Sequence, residues 1–133
     1  MADFPPFTHI VITVKDLAVS APWYQRLIGA EPVLDEDVGE MFHHTVFPVG
    51  DQLLSLHGFK PQYAQEGPAN EFRPGLDHIA FGVPTRDDLS KWAARLEELG
   101  IEHGEILDAH FGSGLAFRDP DNIQLEFFAP PGT

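Results

Sequence analysis

The 133-residue chain contains no cysteine. No disulfide framework holds it together, and it brings no thiolate of its own to nucleophilic or metal chemistry. Positive charge is also scarce. Eight Lys and Arg stand against 21 Asp and Glu, a formal charge of −13. Such a surface repels phosphate backbones, so nucleic acid is not an expected partner. No run of about 18 apolar residues occurs, and no membrane association is expected. The opening MADFPPFTHI lacks the basic and then apolar pattern of a secretory leader, which makes a cytoplasmic location the expectation. Nor does the chain carry a G-x-G-x-x-G, P-loop, GxSxG or HExxH pattern. Nucleotide binding and the common hydrolase designs therefore have no sequence support.

What is present is an apolar fraction of 43% and eleven Phe, enough for a globular core in one domain-sized chain. The sequence also repeats itself. Displaced by 69 positions (78 − 9 = 69), it overlaps over 64 residues, of which twelve are identical; composition alone gives roughly four. The matches fall at structurally telling places. His9 and Ile10 meet His78 and Ile79, and Val14 meets Val83. Trp23, Arg26 and Leu27 meet Trp92, Arg95 and Leu96, while Leu56 and Phe59 meet Leu125 and Phe128. A duplicated module is the natural reading.

Each module reads as a strand, a helix and three strands. Residues 7–14 and 77–83 are β-branched and aromatic runs, hence strands. TRDDLSKWAARLEEL, residues 85–99, predicts a helix. Thr85 and Asp88 form its capping box, Leu89, Trp92, Ala93, Leu96 and Leu99 its apolar face, and Gly100 its stop. Its counterpart spans about 18–28, with Pro22 expected in the first turn. Further strands are expected near 31–35, 41–48 and 52–57, then 101–107, 113–118 and 123–128. The predicted fold is α+β. Two βαβββ modules, about 5–59 and 76–129 with a linker over about 60–75, form a pseudo-twofold, cup-shaped mixed sheet with helices on its outer face.

Alternation along these strands separates a helix face from an open face. Ile10, Ile12 and Val14 belong under one helix, and Ile79, Phe81 and Val83 under the other. His9, His57, His78 and Glu126 then face the open side. The offset of 69 pairs His9 with His78 and His57 with Glu126 (126 − 57 = 69). Small neighbours, Thr13, Ser55, Ala80 and Gly82, leave the cup open. Three imidazoles and one carboxylate suit Zn²⁺, Fe²⁺, Mn²⁺ or Ni²⁺. A site of that net charge stabilises an oxyanion, enediolate or catecholate. A lone strand histidine is ordinarily satisfied by a carbonyl or water. Two at equivalent repeat positions on open faces argue instead for a shared role. Glu126 also reads as an edge-strand gatekeeper, though burial without a cation would be costly. His57 reads equally as a ligand, a substrate contact or an exposed histidine, because a one-residue slip moves it to the other face. Thr13, Ser55 and Phe128 are further pocket candidates. One of His43 and His44 must point inward, and His43 is carried as the candidate; His110 lies in the glycine-bearing loop DAHFGSG. Trp23 and Trp92, on the helices' apolar faces, read as core.

The histidine opening the first strand, GLDHIAFGV, FRDPDNIQLEFF and VGDQLLSLHGF together resemble the vicinal oxygen chelate superfamily, the glyoxalase, bleomycin-resistance and dioxygenase relatives. The resemblance covers residues 5–129. It implies that His9, His78 and Glu126 are metal ligands and that His57 sits where a fourth may fall, with Ser55 taking that place if the strand shifts. It implies a small-molecule substrate and a homodimer. Three activities follow as expectations. A glyoxalase-like isomerase or lyase is favoured, with Glu126 leaving the metal transiently to act as base. A ring-cleaving dioxygenase would use His9, His78 and Glu126 as a facial triad on Fe²⁺, with His57 as acid or base. A non-catalytic protein would sequester a cationic drug in an aromatic cup. Fosfomycin-type thiol transfer ranks behind these, since a phosphonate needs a basic cradle and the chain has only Lys15, Lys60 and Lys91 as lysines.

Overall fold

The computed structural model describes residues 3–133. The chain divides into two compact units, one ending at Glu66 and the other running from Gly67 to Thr133. Each contains one helix and one four-stranded mixed sheet. In the first unit the elements are β1 (His9–Thr13), α1 (Leu17–Ile28), β2 (Leu34–Val38), β3 (Phe42–Val49) and β4 (Gln52–Phe59). In the second they are β5 (His78–Gly82), α2 (Arg86–Glu98), β6 (Leu107–Ala109), β7 (Gly112–Arg118) and β8 (Gln124–Ala129). The sheet orders are β1-β4-β3-β2 and β5-β8-β7-β6. In both, the first strand runs parallel to the last and the remaining pairs are antiparallel. The predicted βαβββ module thus occurs twice, in the same topology. Among the described residues no helix is long and apolar enough to cross a membrane.

The helices form for the reasons their sequences suggest, with one exception. Thr85 caps α2: its backbone N–H donates to Asp88 Oδ2 at 3.0 Å, and its hydroxyl donates to the same oxygen at 2.9 Å. Asp16 caps α1 by accepting from the Ala18 N–H at 3.0 Å, and Gly29 ends it in the left-handed conformation. Pro22 is not in the first turn but inside the helix. Asp16 starts α1 earlier than the proline implied, so Pro22, which has no N–H, leaves the Ala18 carbonyl without its usual donor.

In each unit the helix seals one face of the sheet. Ile12, Val14, Phe47, Leu54 and Leu56 are buried in the first, and Ile79, Leu115, Phe117, Leu125 and Phe127 in the second, together with Leu89 and Leu96 of α2. Trp92 stacks on Phe127 with ring centroids 4.2 Å apart. At Gly58 a Cβ would lie 2.6 Å from Leu17 Cδ1, so any side chain there would require Leu17 of α1 to shift. The strands expected at 31–35 and 101–107 lie further along, at Leu34–Val38 and Leu107–Ala109. Every residue of both is exposed. No buried face marks their positions in the sequence.

Residues 67–75, expected as linker, are tied to the second unit. Arg118 forms a two-pronged pair with Glu71, at 2.7 and 2.9 Å, which holds the Glu71 carboxyl at about 2. Ala69 N–H donates to the Asp121 carbonyl at 2.9 Å.

On the helix side of β3, His43 is gripped by both ring nitrogens: Nε2 to Asp35 at 2.6 Å and Nδ1 to Asp37 at 3.0 Å. The Asp35 bond first, then the Asp37 bond, raises the His43 pKa above its ordinary 6.5. The His43 bond is likewise the main cause that lowers Asp35. Because the folded pKa of His43 is raised, its stabilisation is complete below the unfolded value and disappears as pH rises through the folded one. His43→Ala is therefore expected to lower the urea midpoint more at about pH 5.5 than at about pH 9. An equal deficit at both pH values would show that charge on His43 contributes nothing.

The fully buried Leu96 offers a test of the packing itself. Leu96→Ala should cost about 2–5 kcal/mol in urea unfolding, although alanine is the better helix former. A loss below about 1 kcal/mol would mean that α2 is not packed on its sheet.

Candidate metal centre

Strand parity places His9, Val11 and Thr13 of β1 on the face away from α1, with Leu53, Ser55, His57 and Phe59 of β4 and Phe42, His44 and Val46 of β3. In the second unit the corresponding face carries His78, Ala80 and Gly82 of β5, Gln124, Glu126 and Phe128 of β8, and Gly114, Ala116 and Arg118 of β7. His9, His57, His78 and Glu126 thus all stand on open faces, two in each unit. Of the weaker candidates, Thr13, Ser55 and Phe128 do too. His43 does not: it shares the helix side of β3 with Phe47, and His44 takes the open side. His110 lies in the turn before β7, its ring 5.3 Å from that of Phe111.

The second unit shows how a donor pair is built. Ala80 lies opposite Glu126 in the parallel ladder, so His78 and Glu126 are diagonal neighbours. Their donor atoms, His78 Nε2 and Glu126 Oε1, stand 3.4 Å apart. Two donors each about 2.1 Å from one ion, at a tetrahedral angle, are separated by about 3.4 Å, so the spacing fits a shared divalent cation. Asp77 Oδ1 binds His78 Nδ1 at 2.7 Å, which turns Nε2 toward Glu126. That carboxylate–imidazole arrangement commonly orients a metal-bound histidine. The Asp77 bond is the main cause that raises the His78 pKa, with Glu126 adding to it and partial burial opposing. Space around the carboxylate comes from absent side chains. A Cβ at Gly114 would lie 3.1 Å from Glu126 Oε2, and one at Gly112 would lie 2.3 Å from the Phe128 ring.

The first unit repeats half of this. Thr8 Oγ1 lies 2.9 Å from His9 Nδ1, so Nε2 of His9 is again the nitrogen left for other use. Thr8 and Asp77 occupy the same repeat position (77 − 8 = 69), so this correspondence is present in the sequence itself. The diagonal neighbour of His9 is Ser55, since Val11 lies opposite Ser55. The pairing of His57 with Glu126 by an offset of 69 is therefore corrected by the ladders. The first strands correspond at 69, but the last strands correspond at 71 (126 − 55 = 71). His57 lies opposite Thr13, four residues along from the partner of His9, or about 13 Å along the strand. Its ring stacks on Phe42 at 4.2 Å and lies 6.0 Å from Phe59 and 6.1 Å from His44. Burial, and then the nearby His44, lowers its pKa, which keeps the ring neutral at pH 7. That aromatic cluster was not visible in the sequence, because Phe42 and Phe59 are seventeen positions apart (59 − 42 = 17) and meet through the β3–β4 register.

Among the described residues no group of three or more His, Asp or Glu side chains stands close enough to hold a metal ion. Fit to a cation therefore rests on the donor chemistry of His9 and of the His78–Glu126 pair. Arg118, on the open face of β7, is bound to Glu71, to Gln124 Oε1 at 3.1 Å and to the Asn122 carbonyl at 3.2 Å.

Comparison with known proteins agrees with the topology. The glyoxalase/bleomycin resistance protein/dioxygenase domain from Frankia sp. EAN1pec superimposes with a TM-score of 0.81 at 31% identity, covering 96% of this chain and 99% of that one. A metallothiol transferase FosB from Bacillus licheniformis is 25% identical over 122 residues, 89% of this chain and 71% of its own length. The fosfomycin resistance protein FosX from Listeria monocytogenes, in a crystal complex with Mn(II) and sulfate, shares the fold. Its TM-score is 0.70 at 20% identity, covering 98% of this chain and 95% of that one. Residues 7–127 match the model of the Glyoxalase/Bleomycin resistance protein/Dioxygenase superfamily. With the module found twice and the matched histidines opening β1 and β5, the chain belongs to that superfamily.

Proposed function

We propose that the protein is a divalent-metal-dependent enzyme acting on a small organic substrate through neighbouring oxygens, with a glyoxalase-like isomerisation or lyase reaction favoured. His9, His78 and Glu126 are its metal ligands. The observation that carries this reading is the His78–Glu126 pair, 3.4 Å apart with Nδ1 of His78 held by Asp77. Thr8 orients His9 in the same way. The names of two relatives, a metallothiol transferase and a FosX complexed with Mn(II), lend support. A bound divalent ion supplies Lewis-acid polarisation of substrate oxygens and stabilises negative charge developing on them. Glu126 is the carboxylate available beside it to accept a proton from carbon and return it. Asp77 keeps His78 in the tautomer that presents Nε2. Ala80, Gly82, Gly114 and Ala116 leave room for substrate along the strands around Glu126.

Thiol transfer of the kind named for the FosB relatives is the second reading, favoured by their sequence similarity. The open faces argue against it. A phosphonate needs several cationic donors, and Arg118 is already engaged by Glu71.

Metal content per chain, measured on protein prepared without chelator or a nickel affinity step, is expected near one equivalent. Zinc, nickel or manganese would direct isomerase and lyase assays, and iron would direct oxygen-consumption assays. Glu126→Ala should weaken Mn(II) binding by about 100-fold with unchanged circular dichroism. Stoichiometric metal retained in that variant would remove Glu126 from the ligand set.

A further inference from the structure

We infer that Gln124 is a positioning residue for His78: its side-chain amide, aligned by Arg118, holds the Asp77 carboxylate against the imidazole and so decides which ring nitrogen is left free. The inference lies wholly within the second unit. Its purpose rests on the reading of His78 as a metal ligand, and its geometry does not.

Three observations carry it. Gln124 of β8 lies opposite both His78 of β5 and Arg118 of β7, so these side chains form one row across the sheet. Hydrogen bonds run along that row without a break. Arg118 Nη2 donates to Gln124 Oε1 at 3.1 Å, and Gln124 Nε2 donates to Asp77 Oδ1 at 3.3 Å. The same Asp77 oxygen lies 2.7 Å from His78 Nδ1. Glu71 anchors the outer end by accepting from both terminal nitrogens of Arg118. The corresponding row of the first unit is His9, Leu53 and Pro48, with no polar side chain beyond the histidine. The polar row therefore belongs to the unit that also carries Glu126.

The inventory of donors and acceptors gives the row one direction. A guanidinium offers only N–H groups, and an ionised carboxylate only acceptors. Gln124 fits between them with Oε1 toward Arg118 and Nε2 toward Asp77. Turned over, the amide would set its NH₂ against the guanidinium and its oxygen against the carboxylate. Asp77 is otherwise exposed, and holding an exposed charged side chain in one geometry costs entropy, which the Gln124 bond offsets. With Asp77 fixed, a neutral His78 carries its single proton on Nδ1. Nε2 then presents its lone pair on the side of Glu126, 3.4 Å away. Arg118 has two duties: it fastens residues 67–75 through Glu71, and it aligns the amide that orients His78.

The isotope-labelled full chain is compared with Gln124→Met, Gln124→Lys and Arg118→Met. Long-range proton–nitrogen correlation spectra at about pH 9.5, above the range in which imidazole is ordinarily charged, report the His78 tautomer, with His78→Ala assigning its signals. The unaltered chain should show the Nδ1–H form. Gln124→Met, similar in length but without a donor, should give a mixture of both forms. Gln124→Lys, which offers Asp77 a donor again, should restore the Nδ1–H form; strand packing alone would not separate Met from Lys in that way. Arg118→Met should shift the signals in the same direction as Gln124→Met. Electron paramagnetic resonance of free Mn(II) should show Gln124→Met weakened about 10-fold, the effect usual for a group behind a metal-bound histidine. An Nε2–H form in the unaltered chain would overturn the inference. So would an unchanged tautomer in Gln124→Met or Arg118→Met, no return of the Nδ1–H form in Gln124→Lys, or unchanged Mn(II) affinity in Gln124→Met. The metal-dependent reading would survive each of these. Should Gln124→Met fail to fold, Arg118→Met decides. No uptake of Mn(II) by the unaltered chain would instead overturn the metal-dependent reading, and the tautomers alone would then decide the place of Gln124.

Discussion

Each sheet is sealed on one side by its helix, and that single constraint determines what the other side can display. Ile12, Leu54 and Leu56 must lie beneath α1, and Ile79, Leu125 and Phe127 beneath α2. With a side-chain period of two, the residues between them have no choice of direction. His9, Ser55 and His57, or His78 and Glu126, are on the open faces because their neighbours are on the closed ones. At Gly58 the Leu17 side chain of α1 occupies the space where a side chain would begin. Loss of apolar packing would release the strands' parity, and with it the positions of the donors.

That constraint also explains which parts of the architecture were legible beforehand. Face assignment depends on parity alone, and for His9, His78 and Glu126 parity followed from alternating Ile, Val, Leu and Phe. Register is a different quantity. Leu56 and Leu125, and Phe59 and Phe128, are identical at an offset of 69, yet the ladders equate Leu54 with Leu125 and His57 with Phe128. A two-residue shift preserves every face, so no pattern of burial can reveal it. Only the hydrogen-bond pairing of β1 with β4 and of β5 with β8 distinguishes Ser55 from His57. The pair His43 and His44 posed the remaining ambiguity. Burial of Phe47 resolves it by sending His43 to the helix side, where two aspartates claim it. α1 begins within a residue of the expected start, and Pro22 lies inside it rather than in its first turn because the Asp16 side-chain cap sets the start at Leu17.

The electrostatic character of the open faces follows from how the few cations are used. Arg118 is bound to Glu71, Arg86 to Asp108 and Arg95 to Glu98. Each is consumed locally by the acid-rich composition. Asp108 is held at about 2 by Arg86 first and then by Ser113.

The Arg118–Glu71 clamp has a consequence for how the chain is partitioned. It lies beyond the Glu66–Gly67 division and fastens residues 67–75 to β7, the strand that pairs with β8. Every ladder pairing also closes on one side of that division or the other. The natural seam of the molecule therefore lies before the clamp, within the stretch from Lys60 to Glu66. Two gene fragments joined there would each encode a whole sheet with its own helix, and the duplication visible in the sequence is at the same time a boundary for recombining halves.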